Sequence, residues 1–440
     1  MGPERTSKRS DESLESRLRG ALGELERTDL RRSLERVERR PGGRIVRDGR
    51  AVVDFSCNDY LGLASDPRIA EALASAARSG GTGAGAARLI SGNHPLHEEL
   101  EEALARFKGT EAALLFATGF MANAGVLPAL AGEGDVLYSD ELNHASVVDG
   151  CRLSRADVRV FPHRDLDALD GMLDEDAGRD GNRWIVVDGV FSMDGDLFPL
   201  DRLAELADAH GAHTYVDDAH GTGVLGDTGR GSPEHWGVEG RIDVVMGTLG
   251  KALGTSGAFV AGSFELREWL LNRARSFVFT TGTPPALAAA TLEALRIIEA
   301  EPERRERLRA NGSRLRHGLK ELIPRGKSGP PAEWRDPSDG DEGTAGHITP
   351  LVLGEADRAV QVGRRLLERG FQVGTIRPPS VPEGTSRLRI SVSAAHEADQ
   401  IDALLEALDD VLRDVSRNRV VQPPAGRQLD ADADRREVPA

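Results

Sequence analysis

Lys251 stands between Gly250 and Ala252 in the stretch DVVMGTLGKALGTSGAF, residues 243–259, with apolar sequence on both sides. Only five of the 56 basic residues are lysines, so an amine placed in a Gly-rich turn behind an apolar run is out of keeping with a solvated surface position. Partial desolvation lowers the pKa of such an amine and makes it a nucleophile near neutral pH. Other polar residues fall where apolar runs stop. Gly119 and Phe120 follow AALLFAT, His144 follows DVLYSDELN, and Ser192 follows RWIVVDGVF. Asp217 and His220 close AHTYVDDAH, and Thr248 precedes the lysine by three residues. In open α/β sheets, ligands bind outside the carboxyl ends of the strands. Of the adjacent acids, Asp217 is the last strand residue, which leaves Asp218 as a surface or capping acid.

These are the parts that a pyridoxal 5'-phosphate site requires. An amine forms a Schiff base with the aldehyde, and a strand-end carboxylate keeps the pyridine nitrogen protonated so that the ring acts as an electron sink. Backbone N–H groups at a helix start hold phosphate. The turn Thr118-Gly119-Phe120 suits that task, and Thr248 adds a hydroxyl.

The elements that must position these residues follow from the hydrophobic pattern. Short apolar runs alternate with helical stretches from about residue 112 to 262, which predicts a largely parallel sheet covered on both faces. Leucines at 14, 18, 22, 25, 30 and 34 recur at helical spacing and predict one or two amphipathic helices between Leu14 and Arg40. Arg44 to Phe55 reads as a hairpin turning at Asp48-Gly49. Residues 284–322 read as a long helical connection, and the ProGly-rich stretch 324–346 as an exposed insertion. The expected organisation is an N-terminal arm with helices (1–60), a large domain (61–285), a linker helix with a small C-terminal α+β domain (286–417) and a disordered tail (418–440). The fold class is α/β.

Composition bounds the partners. The 440 residues carry 72 acidic and 56 basic side chains, a net charge of −16, which offers no overall positive field for nucleic acid or an anionic membrane. Cys57 and Cys151 cannot form a disulfide framework, and no metal-ligand spacing is present, so no metal is expected. The N-terminal stretch has no apolar core and no run is long enough to span a bilayer, so a cytoplasmic enzyme is the expectation.

The strings CNDYLGL, ARLISGN, FATGFMANAGVL, VDGVFSMDGD, TYVDDAHGTGVLG, GTLGKALG and IRPPSVPEGTSRLRISVSAAHE occur in this order over about residues 30–412. Together they resemble the α-oxoamine synthase family of fold-type I pyridoxal phosphate enzymes. The resemblance implies that Lys251 carries the cofactor and moves the Cα proton, that Asp217 pairs with the pyridine nitrogen, and that His144 stacks on the ring. It implies that His220 bonds the ring hydroxyl with Ser192 nearby, and that Gly119, Phe120 and Thr248 bind the phosphate. Arg389 would receive the amino-acid carboxylate, with Asn58 close by. Ser380 would lie near the acyl chain, and Arg31 would reach an acyl carboxylate. Within the family, IRPPSVPEGTSRLRISVSAAHE points to L-alanine and a pimeloyl thioester of the biotin pathway, carried by CoA or acyl carrier protein. Glycine C-acetyltransferase is the alternative. The resemblance also implies a homodimer with Thr280 or Thr281 near the other chain's cofactor. His163, His210 and His213 are read as structural residues; Arg88, in a loop that suits a structural role as well as a functional one, is left off the site.

Overall fold

A computed structural model describes residues 13–28, 30–323 and 346–421, with side chains up to residue 415. The stretches 1–12 and 422–440, and the expected insertion but for Gly346, lie outside the described residues.

Two sheets organise the chain. The strands are β1 (Val37–Arg40), β2 (Arg44–Arg47), β3 (Arg50–Phe55), β4 (Ala112–Phe116), β5 (Val136–Asp140), β6 (Asp157–Phe161) and β7 (Arg183–Asp188). They continue with β8 (His213–Asp217), β9 (Val244–Thr248), β10 (Ala258–Gly262), β11 (Ile348–Gly354), β12 (Phe371–Ile376) and β13 (Ser386–Ser391). The large sheet has the order β4-β10-β9-β8-β7-β5-β6. Its strands are parallel from β9 to β6, as the alternation predicts, while β10 runs antiparallel to both neighbours.

The apolar runs are continuous because both faces of this sheet are covered. Val186, Tyr215, Val244 and Met246 point into one core and Ile185, Val187, Val216 and Val245 into the other. Each buried aliphatic side chain contributes about 1.5–3 kcal/mol relative to exposure, so a one-residue slip that exchanged the faces would be strongly opposed.

The reversal of β10 explains the lysine turn. Parallel neighbours need a crossover of a dozen or more residues, whereas antiparallel ones can be joined directly. Residues 249–257 form that direct link, and Thr248 pairs with Ala258 across it. Within it, Leu249 N–H donates to Gly257 O, Thr255 N–H to Leu249 O and Gly254 N–H to Lys251 O, each at 2.9 Å.

The small sheet has the order β1-β2-β3-β12-β13-β11, so the hairpin Arg44–Phe55 is built into the same sheet as the C-terminal strands. The link is the parallel pairing of β3 with β12. The N-terminal segment differs from its expectation. Helix occupies Leu14–Arg27 only, and Val37–Arg40 is a strand paired with β2. Glycines at 42 and 43 with positive φ turn the chain there, and Leu34 is wholly exposed and continues no helical face. The predicted connection 284–322 is two helices, Pro285–Ala300 and Glu303–Leu322, broken at Glu301-Pro302. Proline lacks the N–H that an unbroken helix would need at that point. The last helix, Ala398–Val421, runs past residue 418, where the structureless tail was expected to begin.

Candidate active site

The site forms where the ends of β7, β8 and β9 meet the start of the helix Gly119–Leu130. Thr118 caps that helix, its hydroxyl accepting from Met121 N–H at 3.1 Å. Among the described residues, the N–H groups of Gly119 and Phe120 donate to no protein acceptor. They therefore offer the positive end of the helix to an anion. Gly119 is required by space: a Cβ there would come within 2.8 Å of Thr248 Cγ2. The glycine turn and Thr248 thus form the two walls of one small cradle.

Asp217 ends β8 and is buried. Its Oδ2 accepts from Asn123 Nδ2 at 2.7 Å and its Oδ1 from Ala219 N–H at 3.0 Å. Asn123 is held in turn by Tyr215, whose hydroxyl donates to Asn123 Oδ1 at 2.6 Å, and by Ser146 at 2.9 Å. Asp188 ends β7 directly beside Asp217 in the register. Burial first, and then the charge of Asp217, hold the Asp188 carboxyl well above the usual range. It accepts the backbone N–H of His144 at 3.2 Å and so fixes the start of the helix Ala145–Ser154.

His144 keeps an exposed side, yet its ring is pushed down, chiefly by desolvation where it packs on the strand ends. Its Nδ1 lies 2.7 Å from Ser146 Oγ. The pKa of Lys251 is lowered to about 8, because burial outweighs the pull of Asp217 and Asp188. Among the described residues its Nζ makes no hydrogen bond or ion pair, and it stands as a largely desolvated, uncommitted amine. Asp218 is not a surface acid. It is fully buried, paired with Lys108 Nζ at 2.8 Å and bonded to Ser232 Oγ at 2.6 Å, which ties down the loop that carries His220.

On the other side, Arg389 of β13 reaches in from the small sheet. Its Nε donates to Ser192 O, its Nη1 to Ser391 Oγ at 2.8 Å, and its Nη2 lies 3.3 Å from both Asn58 Oδ1 and Tyr60 Oη. A buried guanidinium held by neutral acceptors keeps its charge available for an incoming carboxylate. His220 Nδ1 is 2.7 Å from Tyr60 Oη, and burial keeps the His220 ring neutral, with its pKa well below the ordinary value. A cavity of about 370 Å³ adjoins, lined by Leu142, Phe191, Ser192, Met193, Ser380 and Val381.

The structure thus gathers Lys251, Asp217, His144, His220, Ser192, Thr248, Gly119, Phe120, Asn58 and Arg389 around one space, with Ser380 at its outer cavity. Arg31 is not brought there. It is exposed and paired with Glu26 at 2.8 Å, whereas Nη2 of its neighbour Arg32 lies 3.4 Å from Ser380 Oγ. The two arginines are adjacent in the segment between Arg27 and Val37, so one step of alignment decides which of them is placed beside Ser380. Arg88 is paired with buried Glu101 at 2.9 Å. His163, His210 and His213 contact Asp140 and Asp196, Asp170, and the Trp184 ring respectively. Sequence reasoning missed Asn123, Asp188 and Tyr60. Each lies inside a motif already singled out, but as an ordinary polar residue whose partners come from distant strands.

The family described as aminotransferase class I and II matches residues 50–408. The 8-amino-7-oxononanoate synthase of Anaeromyxobacter dehalogenans is 49% identical over 418 residues, 93% of this chain and 98% of its own length. That of Geobacter sulfurreducens is 48% identical over 391 residues, covering 88% and 96%. The chain belongs to this family, with the 8-amino-7-oxononanoate synthases. Three solved structures are similar. The serine palmitoyltransferase of Sphingomonas wittichii superposes with a TM-score of 0.84 at 32% identity, over 92% of this chain and 100% of that one. The 8-amino-7-oxononanoate synthase of Francisella tularensis gives 0.69 at 27% identity, over 84% and 99%. A related serine palmitoyltransferase from S. paucimobilis carries a bound PLP–myriocin aldimine, at a TM-score of 0.84 and 31% identity, over 92% of this chain and 100% of that one.

Proposed function

We propose that the chain condenses L-alanine with a pimeloyl thioester, with loss of carbon dioxide, to give 8-amino-7-oxononanoate for biotin biosynthesis in the cytoplasm. The observation that carries this reading is the uncommitted Lys251 amine, lowered to about 8, beside the buried carboxylate Asp217. The residues fit pyridoxal phosphate. A free amine faces the carboxylate, and the Gly119 cradle has unpaired N–H groups and no room for a Cβ. When bound, that group supplies an electron sink for the bonds broken at Cα.

The chain's own residues do the rest. Gly119, Phe120 and Thr248 would hold the phosphate, Asp217 the pyridine nitrogen and His220 the ring hydroxyl, while His144 would cover the ring. Arg389, with Asn58 beside it, orients the alanine carboxylate. Lys251, neutral for part of the time near pH 8, takes the proton from Cα and later returns one. A carbon–carbon bond forms between Cα and the thioester carbonyl carbon as the carbon–sulfur bond breaks, and the sulfur leaves as thiolate, which takes its proton from water. The carboxylate then leaves as carbon dioxide, and its bonding pair is taken up at Cα by a proton from Lys251. The acyl chain occupies the cavity between Phe191 and Ser380, with Arg32 at its mouth.

The enzyme works as a homodimer, with Thr280 or Thr281 near the partner's cofactor. Exposed Ile90 (82%), Phe279 (72%) and Phe120 (50%) surround this part of the single chain, and Gly282 N–H donates to Ala86 O beside them at 2.9 Å. The carrier is CoA or acyl carrier protein. A screen of alanine and glycine against thioesters of rising chain length, read by mass spectrometry, tests the reading. Product from alanine and the pimeloyl thioester is expected. Turnover confined to glycine and acetyl-CoA would replace it with glycine C-acetyltransferase.

A further inference from the structure

The loop after β7 is a short hairpin that leaves the large sheet and docks on the small one. An antiparallel bridge joins Val190 to Leu197, Phe191 N–H donates to Asp196 O at 3.0 Å, and Gly195 N–H donates to Phe191 O at 2.8 Å. The base of the hairpin is held on the large-sheet side, where Asp196 Oδ2 lies 2.7 Å from His163 Nε2. Its tip meets the small sheet at three points. Gly195 packs so closely that a Cβ there would come within 2.3 Å of Ile348 O. Arg389 Nε donates to Ser192 O, and Arg387 Nη1 donates to Asp194 Oδ1. Successive residues of a strand face opposite ways, so Arg387 and Arg389 share one face of β13 while Leu388 and Ile390 fill the core behind it.

The hairpin contributes Phe191, Ser192 and Met193 to the cavity of about 370 Å³, and the segment before β13 contributes Ser380, Val381 and Pro382. Arg387 holds both. Its Nη1 bonds Asp194 on the hairpin, and its Nε donates to Thr385 O at 3.0 Å, while Thr385 Oγ1 donates to Pro382 O at 2.7 Å. The Arg387 side chain is only 9% exposed, so this guanidinium is a buried cross-link with a fixed plane and not a loose surface pair. We propose that Arg387 is a specificity-determining residue whose bond to Asp194 braces the hairpin against the segment 380–385, sets the width of the acyl cavity, and so admits a straight acyl chain while excluding a branched one. The proposal rests on the reading above, in which this cavity takes the acyl chain. The amino-acid side has ties of its own, because Arg389 holds Ser192 O and Gly195 abuts Ile348 without help from Asp194. Loss of the brace therefore frees the tip around Met193 and Asp194 and leaves the carboxylate receptor in place.

The test compares kcat/KM for pimeloyl-CoA and for a methyl-branched pimeloyl-CoA, with alanine as co-substrate, in the loaded full-length enzyme. Wild type is expected to prefer the straight chain. Arg387→Met, which keeps an unbranched stem without the charge, should lower that preference about tenfold, the size of discrimination that one carbon commands in an apolar pocket. KM for alanine should stay within about twofold of wild type, which a general loosening of the fold would not allow. Asp194→Asn, at a partly exposed position, should give the same fall and carries the test if Arg387→Met does not fold. The double variant should fall no further than either single one, because one bond is removed in all three. An unmoved preference, an equal rise in KM for alanine and thioester, or additive effects in the double variant would each overturn the brace and leave the reaction standing. A wild type that turns over neither thioester would overturn the reaction and the brace together.

Discussion

Arg389 illustrates what one side chain contributes here. Its planar fork is already oriented by Ser192, Ser391, Asn58 and Tyr60, and lysine would put a point charge on a flexible stem in its place. Arg389→Lys is expected to raise KM for alanine on the order of tenfold or more, with a smaller fall in kcat, in steady-state assays. His163 gives a pH-dependent counterpart outside the chemistry. Burial pulls its ring down, but bonds to Asp140 and Asp196 outweigh this and raise it to about 9. A raised pKa stabilises the fold in full below about pH 6.5, the unfolded value, and the gain is lost as pH rises through about 9. The gain is on the order of 3 kcal/mol. Wild-type thermal midpoints should therefore fall across that window more steeply than those of His163→Gln. Sequence alone could show neither network. Asp140, Asp196 and His163 are separate polar residues until the sheet brings them together.

At the scale of elements, the short return from β9 to β10 holds Lys251, and the helix start at Gly119 forms the candidate cradle beside it. Both were legible, because a Gly-rich turn behind an apolar run is a local signal. The reversed direction of β10 was not anticipated: the run AFVAG itself does not distinguish parallel from antiparallel pairing, and the signal lay in the link 249–257, too short for a parallel crossover. The N-terminal leucines misled for a related reason. Leu14, Leu18, Leu22 and Leu25 do share a helix, but the spacing carried the reading across residues 30–40, where β2 offers β1 a pairing edge. Gly119→Ala tests the cradle. Its Cβ would press on Thr248 at 2.8 Å, and pyridoxal phosphate affinity, measured by fluorescence titration, should fall about tenfold, or about 1.4 kcal/mol. Circular dichroism should stay unchanged, because alanine is a better helix former than glycine.

The whole molecule brings Arg389 and Asn58 from opposite ends of the chain to Lys251 in its middle. The pairing of β3 with β12 places the N-terminal hairpin and the C-terminal strands in one sheet. The strand–helix alternation behind the large sheet could be read along the chain, but this closure across more than three hundred residues has no local signature. Apolar Ile90 and Phe279 stay exposed near the site, which fits a second subunit covering them. Light scattering should give twice the 47.3 kDa chain mass, and Phe279→Asp should yield a single-chain species with lost activity. The account depends most on Lys251. Wild-type protein loaded with pyridoxal phosphate and treated with borohydride should yield, on digestion, one peptide spanning residue 251 with the reduced cofactor attached to that lysine. Lys251→Ala should yield none. Attachment at another lysine, or retention of covalent cofactor in the variant, would contradict it.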